Sequence, residues 1–116
     1  MARINFVELP VRDIATARTF YERAFAMEMT AFGPTYACTM TGNVDLGLQA
    51  DASEATNGPL AVIHVDDLEA AVAAVLEAGG KITEPIFSFP GGRRFHFTDP
   101  SGNELSAMHV APSTNE

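Results

Sequence analysis

The stretch Leu60-Ala61-Val62-Ile63-His64-Val65-Asp66-Asp67-Leu68 repeats the pattern of Phe6-Val7-Glu8-Leu9-Pro10-Val11-Arg12-Asp13-Ile14. Each passes from a strand-like segment through an acidic helix start into helical spacing. Further along, Thr41-Gly42-Asn43 matches Ser101-Gly102-Asn103, each ahead of a final strand. A chain that doubles one small unit builds a pseudo-symmetric site between the copies. The residues at equivalent positions of each copy therefore bear directly on function.

Working outward, residues 3–11 read as a strand. Val7, Leu9 and Val11 alternate onto one face and Phe6, Glu8 and Pro10 onto the other. Asp13 is a good N-cap. Ile14, Ala17, Phe20, Tyr21, Ala24 and Phe25 then follow helical spacing and predict one apolar stripe. Residues 27–32 predict a short strand, and residues 36–41 and 44–49 a hairpin through Gly42-Asn43. Residues 51–58 are small and polar and read as a linker. The second copy opens with a strand over 59–65 and a helix capped by Asp66 or Asp67. The buried stripe of that helix is Leu68, Ala71, Val72, Val75 and Leu76, and Gly79-Gly80 ends it. Strands follow over 81–86, 94–98 and 104–110, with a loop at Phe89-Pro90-Gly91-Gly92 and a dense turn at Asp99-Pro100-Ser101-Gly102-Asn103. The expected fold is α+β, two βαβββ modules (about 1–50 and 59–110) forming curved mixed sheets around a cleft, helices outside. A tail over 111–116 is expected to fray.

Composition excludes several classes. The chain has 116 residues, 47% of them hydrophobic, which suits one compact domain. No apolar run approaches the ~20 residues of a membrane span, and the first residues lack the apolar core of a secretory signal. A cytoplasmic protein with no membrane partner is expected. The formal net charge of −8 argues against nucleic acid. The single cysteine, Cys38, excludes an intrachain disulfide and a multi-cysteine zinc site, and reads as a small buried hydrophobe.

The order β-α-β-β-β twice, with Val65-Asp66-Asp67-Leu68, Ala78-Gly79-Gly80-Lys81-Ile82 and Phe97-Thr98-Asp99-Pro100-Ser101-Gly102-Asn103-Glu104, resembles the vicinal oxygen chelate superfamily of glyoxalases, extradiol dioxygenases and bleomycin resistance proteins. The resemblance covers nearly the whole chain. It implies, for metal-using members, four ligands, usually His or Glu, one on the first and one on the last strand of each module. Those positions fall at Phe6, near Leu46, at Leu60 and at Ser106. None is His, Asp or Glu, the side chains a divalent metal needs there. No metal and no cofactor are therefore expected. Asp45 stands beside Leu46, but a one-residue slip turns a strand side chain to the other face.

Alternation sets Phe6, Glu8 and Pro10, Leu60, Val62 and His64, and Glu104, Ser106 and Met108 on the cleft side. Glu8, His64 and Glu104 are its ionisable members and the candidates for acid–base work, against the plainer reading of strand-end residues paired with neighbours. Phe6, Tyr36, Leu60, Val62, His64, Phe95, Phe97 and Ser106 are the candidate ligand-binding residues, with plain core as the alternative for the aromatics. His96 and His109 are expected to point away from the cleft. The loop ending in Arg93-Arg94 is a candidate mobile lip, against a solvated loop with an ordinary salt bridge. The resemblance favours a homodimer that binds a small organic molecule without the metal tetrad. The alternative is a lyase or dioxygenase-type enzyme using Glu8, His64 or Glu104 as acid, base or unconventional metal ligand. Whether any reaction follows binding is left open by the sequence.

Overall fold

The computed structural model describes residues 2–110, and the predicted tail lies outside them. The chain is α+β and divides into two compact units, residues 5–60 and residues 61–110 with residues 2–4. The first copy of the repeat runs β1 (Arg3–Pro10), α1 (Ile14–Phe25), β2 (Thr30–Ala31), β3 (Tyr36–Cys38) and β4 (Asp45–Gln49). The second runs β5 (Leu60–His64), α2 (Leu68–Glu77), β6 (Lys81–Phe89), β7 (Gly92–Thr98) and β8 (Glu104–Val110). The strand orders β2-β3-β4-β1 and β5-β8-β7-β6 correspond, each opening strand lying parallel to the closing strand of its copy. The repeat in the sequence is thus a repeat of topology. No described helix is long and apolar enough to cross a membrane.

Each helix starts on an aspartate. Asp13 accepts hydrogen bonds from the Thr16 amide at 2.8 Å and its hydroxyl at 2.6 Å, and Asp67 accepts from the Ala70 amide at 3.0 Å. The second cap is therefore Asp67 rather than Asp66. Gly79, at φ +100°, closes α2 in the left-handed region, whereas α1 ends on Ala26 at φ 55°.

The buried stripes are narrower than the spacing predicts. On α1, Ile14, Ala17 and Tyr21 pack against Met29, Ala37 and Leu48. Phe20 and Phe25 are 57% and 62% exposed, and they contact Tyr21 and each other edge-on or stacked. Phe20 sits one residue, or about 100° of helix rotation, off the Ile14–Tyr21 line. On α2, Leu68, Ala71, Val72 and Val75 meet Phe95, Phe97 and Ala107, while Leu76 is exposed.

Strand β6 extends three residues beyond the predicted strand. Its pairing with β7 shifts register between Glu84 and Phe87, on either side of Pro85. Proline cannot donate to a ladder, and β6 stands last in its strand order, where that loss is tolerated. The predicted Phe89–Gly92 loop is a tight hairpin, and Arg93 and Arg94 of the expected lip lie in β7. Phe89 pairs with Gly92, and Gly91 takes φ +100°.

The two Gly-Asn turns are tied by carboxylates from opposite sides. Asp99, ahead of its turn, accepts from the Ser101 and Asn103 amides and the Asn103 side chain, all at 2.9 Å. Asp45, behind its turn, accepts from the Thr41 amide and hydroxyl, the Thr39 hydroxyl and the Gly42 amide. Burial would raise the Asp45 carboxyl, but these donors together hold it below the usual range.

Candidate sites on the helix-free sheet faces

In the first unit the core fixes which side of the sheet is left. Leu9, Val11, Ala37, Leu46 and Leu48 turn toward α1. By alternation Phe6 and Glu8 of β1, Tyr36 and Cys38 of β3, and Gly47 and Gln49 of β4 take the other face. That placement corrects one alignment. Leu46 belongs to the helix-facing core, and the β4 residue opposite Glu8 is Gly47. Asp45, also on the helix-free face, is committed to its turn.

Glu8 is 2% exposed and accepts a hydrogen bond from the Tyr36 hydroxyl at 2.9 Å. A buried carboxyl group needs hydrogen-bond partners. Both residues were picked from the sequence, Glu8 as a possible acid or base and Tyr36 as a ring whose hydroxyl needs a partner; they meet each other. Beside them, a Cβ on Gly47 would fall against the Tyr36 hydroxyl and 2.6 Å from Cζ of Phe6. Glycine here leaves room for both rings. Its φ is ordinary. Cys38 is buried, and desolvation, then the charge of Asp45, raises its thiol above the usual range. It is a packed side chain rather than a reactive one.

The second unit reverses part of the expected facing. Phe95 and Phe97 lie on the helix side, 0% and 8% exposed, in the cluster with Leu68 and Ala107. The reason is volume. The α2 stripe is made of Leu68, Ala71, Val72 and Val75, so large sheet residues fill the layer beneath it. With both rings turned to the helix, Arg94, His96 and Thr98 take the other face, opposite Met108, Ser106 and Glu104 respectively. Val62 stands level with Ser106 on the neighbouring strand.

His96 is the residue that sequence reasoning missed. Its Nδ1 lies 3.1 Å from Glu104 Oε2, and its side chain is 6% exposed against 37% for Glu104. Its Nε2 is buried and, among the described residues, has no hydrogen-bond partner. Its ring packs 5.7 Å from that of Phe87, over which Arg94 lies at 5.2 Å. The signal was available in the Ala-rich helix, whose small stripe calls for Phe95 and Phe97 and so turns His96 the other way.

The remaining candidates separate by unit. Glu8 belongs to the first and Glu104 and His64 to the second. His64 sits at the end of β5, its ring 5.5 Å from His109 and its Nε2 3.4 Å from the Val110 amide. His109 points its Nδ1 at the Val65 carbonyl, 2.9 Å away. Partial burial, the neighbouring His109 and the Arg3 charge lower the His64 pKa from 6.5, against an opposing pull from Asp66. A proton therefore binds the unfolded chain more tightly, and stability is lost as pH falls from about 6.5 through the folded value. The tied aspartates lose their contribution only in stronger acid, below 3.8. We expect the melting temperature of wild type to fall across the imidazole range and that of His64→Gln to fall less. Parallel curves would remove His64 as the cause. Arg93 leaves the helix-free face altogether, pairing with Glu69 of α2 at 2.8 Å.

The family model of the Glyoxalase/Bleomycin resistance protein/Dioxygenase superfamily matches residues 3–106. The chain belongs to that superfamily. No curated protein matches it. Among solved structures, a hypothetical protein from Bacillus halodurans C-125 is similar at TM-score 0.80 and 14% identity, over 99% of each chain. The methylmalonyl-CoA epimerase of Mycobacterium tuberculosis is similar at TM-score 0.74 and 17% identity, over 94% of this chain and 88% of that one. A Mn(II)-bound glyoxalase from Novosphingobium aromaticivorans is similar at TM-score 0.70 and 20% identity, over 96% of this chain and 41% of that one. At these identities the likeness is one of fold.

The metal-ligand positions implied by the superfamily resemblance hold residues that do not fit a metal. Phe6 and Leu60 carry no donor atom, and Gly47, the residue on the helix-free face of β4, has no side chain. Ser106 is fully buried and donates its hydroxyl to the Phe95 carbonyl at 3.0 Å. Among the described residues no group of three or more His, Cys, Asp or Glu could hold a metal ion.

Proposed function

We propose that this superfamily member binds a small organic molecule on its helix-free sheet faces, without a metal tetrad. The observation that carries the reading is what stands at the ligand positions of the first unit: the ring of Phe6 beside Gly47, where a side chain could enter only by displacing Phe6 and Tyr36. Ser106 adds support, since its hydroxyl already serves a backbone carbonyl. The chain works as a homodimer in this reading, and the net charge of −8 suits a ligand that is not strongly anionic.

The test is thermal unfolding against a panel of small molecules, in chelator, with metal content measured on untagged protein. A selective binder of the native state must raise the melting temperature, by about 2.7 kcal/mol of stability at a hundredfold excess over Kd. We expect such a shift to survive chelation, with metal well below one ion per chain. Near-stoichiometric metal, or a shift abolished by chelator, would overturn the reading and restore the metal-dependent chemistry of a lyase or dioxygenase. Sedimentation should give twice the monomer mass; a monomer would remove the dimer from the proposal.

One observation favours a second reading, an acid–base enzyme of the same superfamily. Of the three ionisable candidates, Glu104 holds an imidazole in a fixed orientation, the arrangement by which a carboxylate prepares a histidine for proton transfer. Glu104→Gln should then abolish turnover of any molecule the panel identifies, while leaving the fold intact.

A further inference from the structure

We infer that His96 is a ligand-binding residue, whose Nε2 accepts a hydrogen bond from the hydroxyl of a planar, phenol-like or enol-like molecule. This deepens the proposed function and rests on its reading of a small organic ligand. Two observations carry it independently. The first is the orphaned nitrogen. Nε2 is buried and meets no donor or acceptor among the described residues, whereas buried polar atoms are nearly always paired and each exception calls for an explanation. The second is the fixed tautomer. Nδ1 faces Glu104 at 3.1 Å. A carboxylate only accepts, so Nδ1 carries a proton, and in a neutral ring Nε2 is then a lone-pair acceptor.

That polarity decides the ligand chemistry. A neutral acceptor selects a donor, an O–H or N–H, and does not select an ether or a carboxylate. The surroundings decide the shape. The His96 ring lies 5.7 Å from Phe87 at an interplanar angle of 51°, and the Arg94 guanidinium lies over Phe87 and Phe89 at 5.2 and 5.7 Å. Aromatic and guanidinium planes together favour a flat partner. Ser106, level with His96 on β8, does not compete for Nε2, because its hydroxyl donates to Phe95.

A merely structural histidine would be expected to have both nitrogens satisfied, and removing it should destabilise the fold. A ligand-binding one leaves Nε2 unpaired in the absence of ligand, so an apolar ring of similar size should be tolerated or even stabilising. The experiment uses 4-chlorophenol and its methyl ether, 4-chloroanisole, as calorimetric probes on wild type and His96→Phe, with melting temperatures of both proteins. We expect wild type to bind 4-chlorophenol at least about tenfold more tightly than the ether, a difference of about 1.4 kcal/mol. His96→Phe should lose that preference while keeping or raising its melting temperature. Equal binding of phenol and ether by wild type, no binding of either, or a preference that persists in His96→Phe would each overturn the inference. So would a marked fall in the melting temperature of His96→Phe with the preference retained. A shift produced by other panel molecules with no phenol preference would overturn His96 alone and leave the binding reading standing.

Discussion

Phe95→Ala is expected to cost about 3–5 kcal/mol of unfolding free energy, the range for emptying an aromatic site in a packed core. Phe95 is fully buried and joins Leu68, Phe97 and Ala107 beneath α2. The surrounding layer cannot collapse easily, because the helix side is already small-residue packing and the neighbouring strands β6 and β8 are paired to β7 along its length. Urea unfolding followed by circular dichroism is the direct check, since the chain has no tryptophan. The midpoint should fall with the denaturant slope unchanged. Phe95→Leu should cost less, as it leaves a smaller cavity. The same variant separates core from site. A loss below about 1 kcal/mol, typical of surface positions, would mean that the ring is not in the core and would return Phe95 to the ligand-contact list.

Gly47→Val is expected to be the second large effect. The first carbon of any side chain there would meet the Phe6 ring at 2.6 and 2.7 Å and the Tyr36 hydroxyl. Forcing it in costs about 1–3 kcal/mol by overpacking. Displacing Tyr36 from Glu8, which is 2% exposed, adds about 1–3 kcal/mol for weakening a buried polar contact. Gly47→Ala should follow in the same direction with a smaller loss. The cause can be isolated by a double-mutant cycle. Phe6→Ala opens space next to position 47, so Gly47→Ala should be far less damaging in that background. Additive losses from the two changes would show that the clash is not the reason for glycine. The outcome also bears on function, because a side chain at position 47 is what a metal-binding first unit would require.

The sheet faces were only half legible. In the first unit, Val7, Leu9 and Val11 against Phe6, Glu8 and Pro10 read correctly, because the inward set is uniformly aliphatic and the outward set contains a carboxylate. In the second, Phe95, Phe97 and Ser106 are placed on one expected surface, yet the rings face α2 and Ser106 faces away. Alternation gives a period and leaves the phase to be set by packing. Phe95-His96-Phe97 is equally consistent with a pocket of two rings or a core of two rings. Phase here follows from the residues opposite, Leu105 and Ala107, and from the small stripe of a helix remote in sequence. The displaced assignment of Leu46 has the same origin. The Gly-Asn turn aligned the two modules one residue short, because Asp45 ties the first turn from behind while Asp99 ties the second from in front.

The sequence by itself determined the doubled βαβββ order, the aspartate caps and the Gly-Asn turns. These are local: each depends on a few adjacent residues whose backbone preferences and chemistry do not need a neighbour. Only the tertiary structure decided that Glu8 and Tyr36 meet, that Gly47 is held open for Phe6, and that His96 stands against Glu104 with its second nitrogen unpaired among the described residues. Those are contacts between strands far apart in the chain. Side-chain volume in the core sets the phase of each strand, and that phase turns the polar residues to one face or the other.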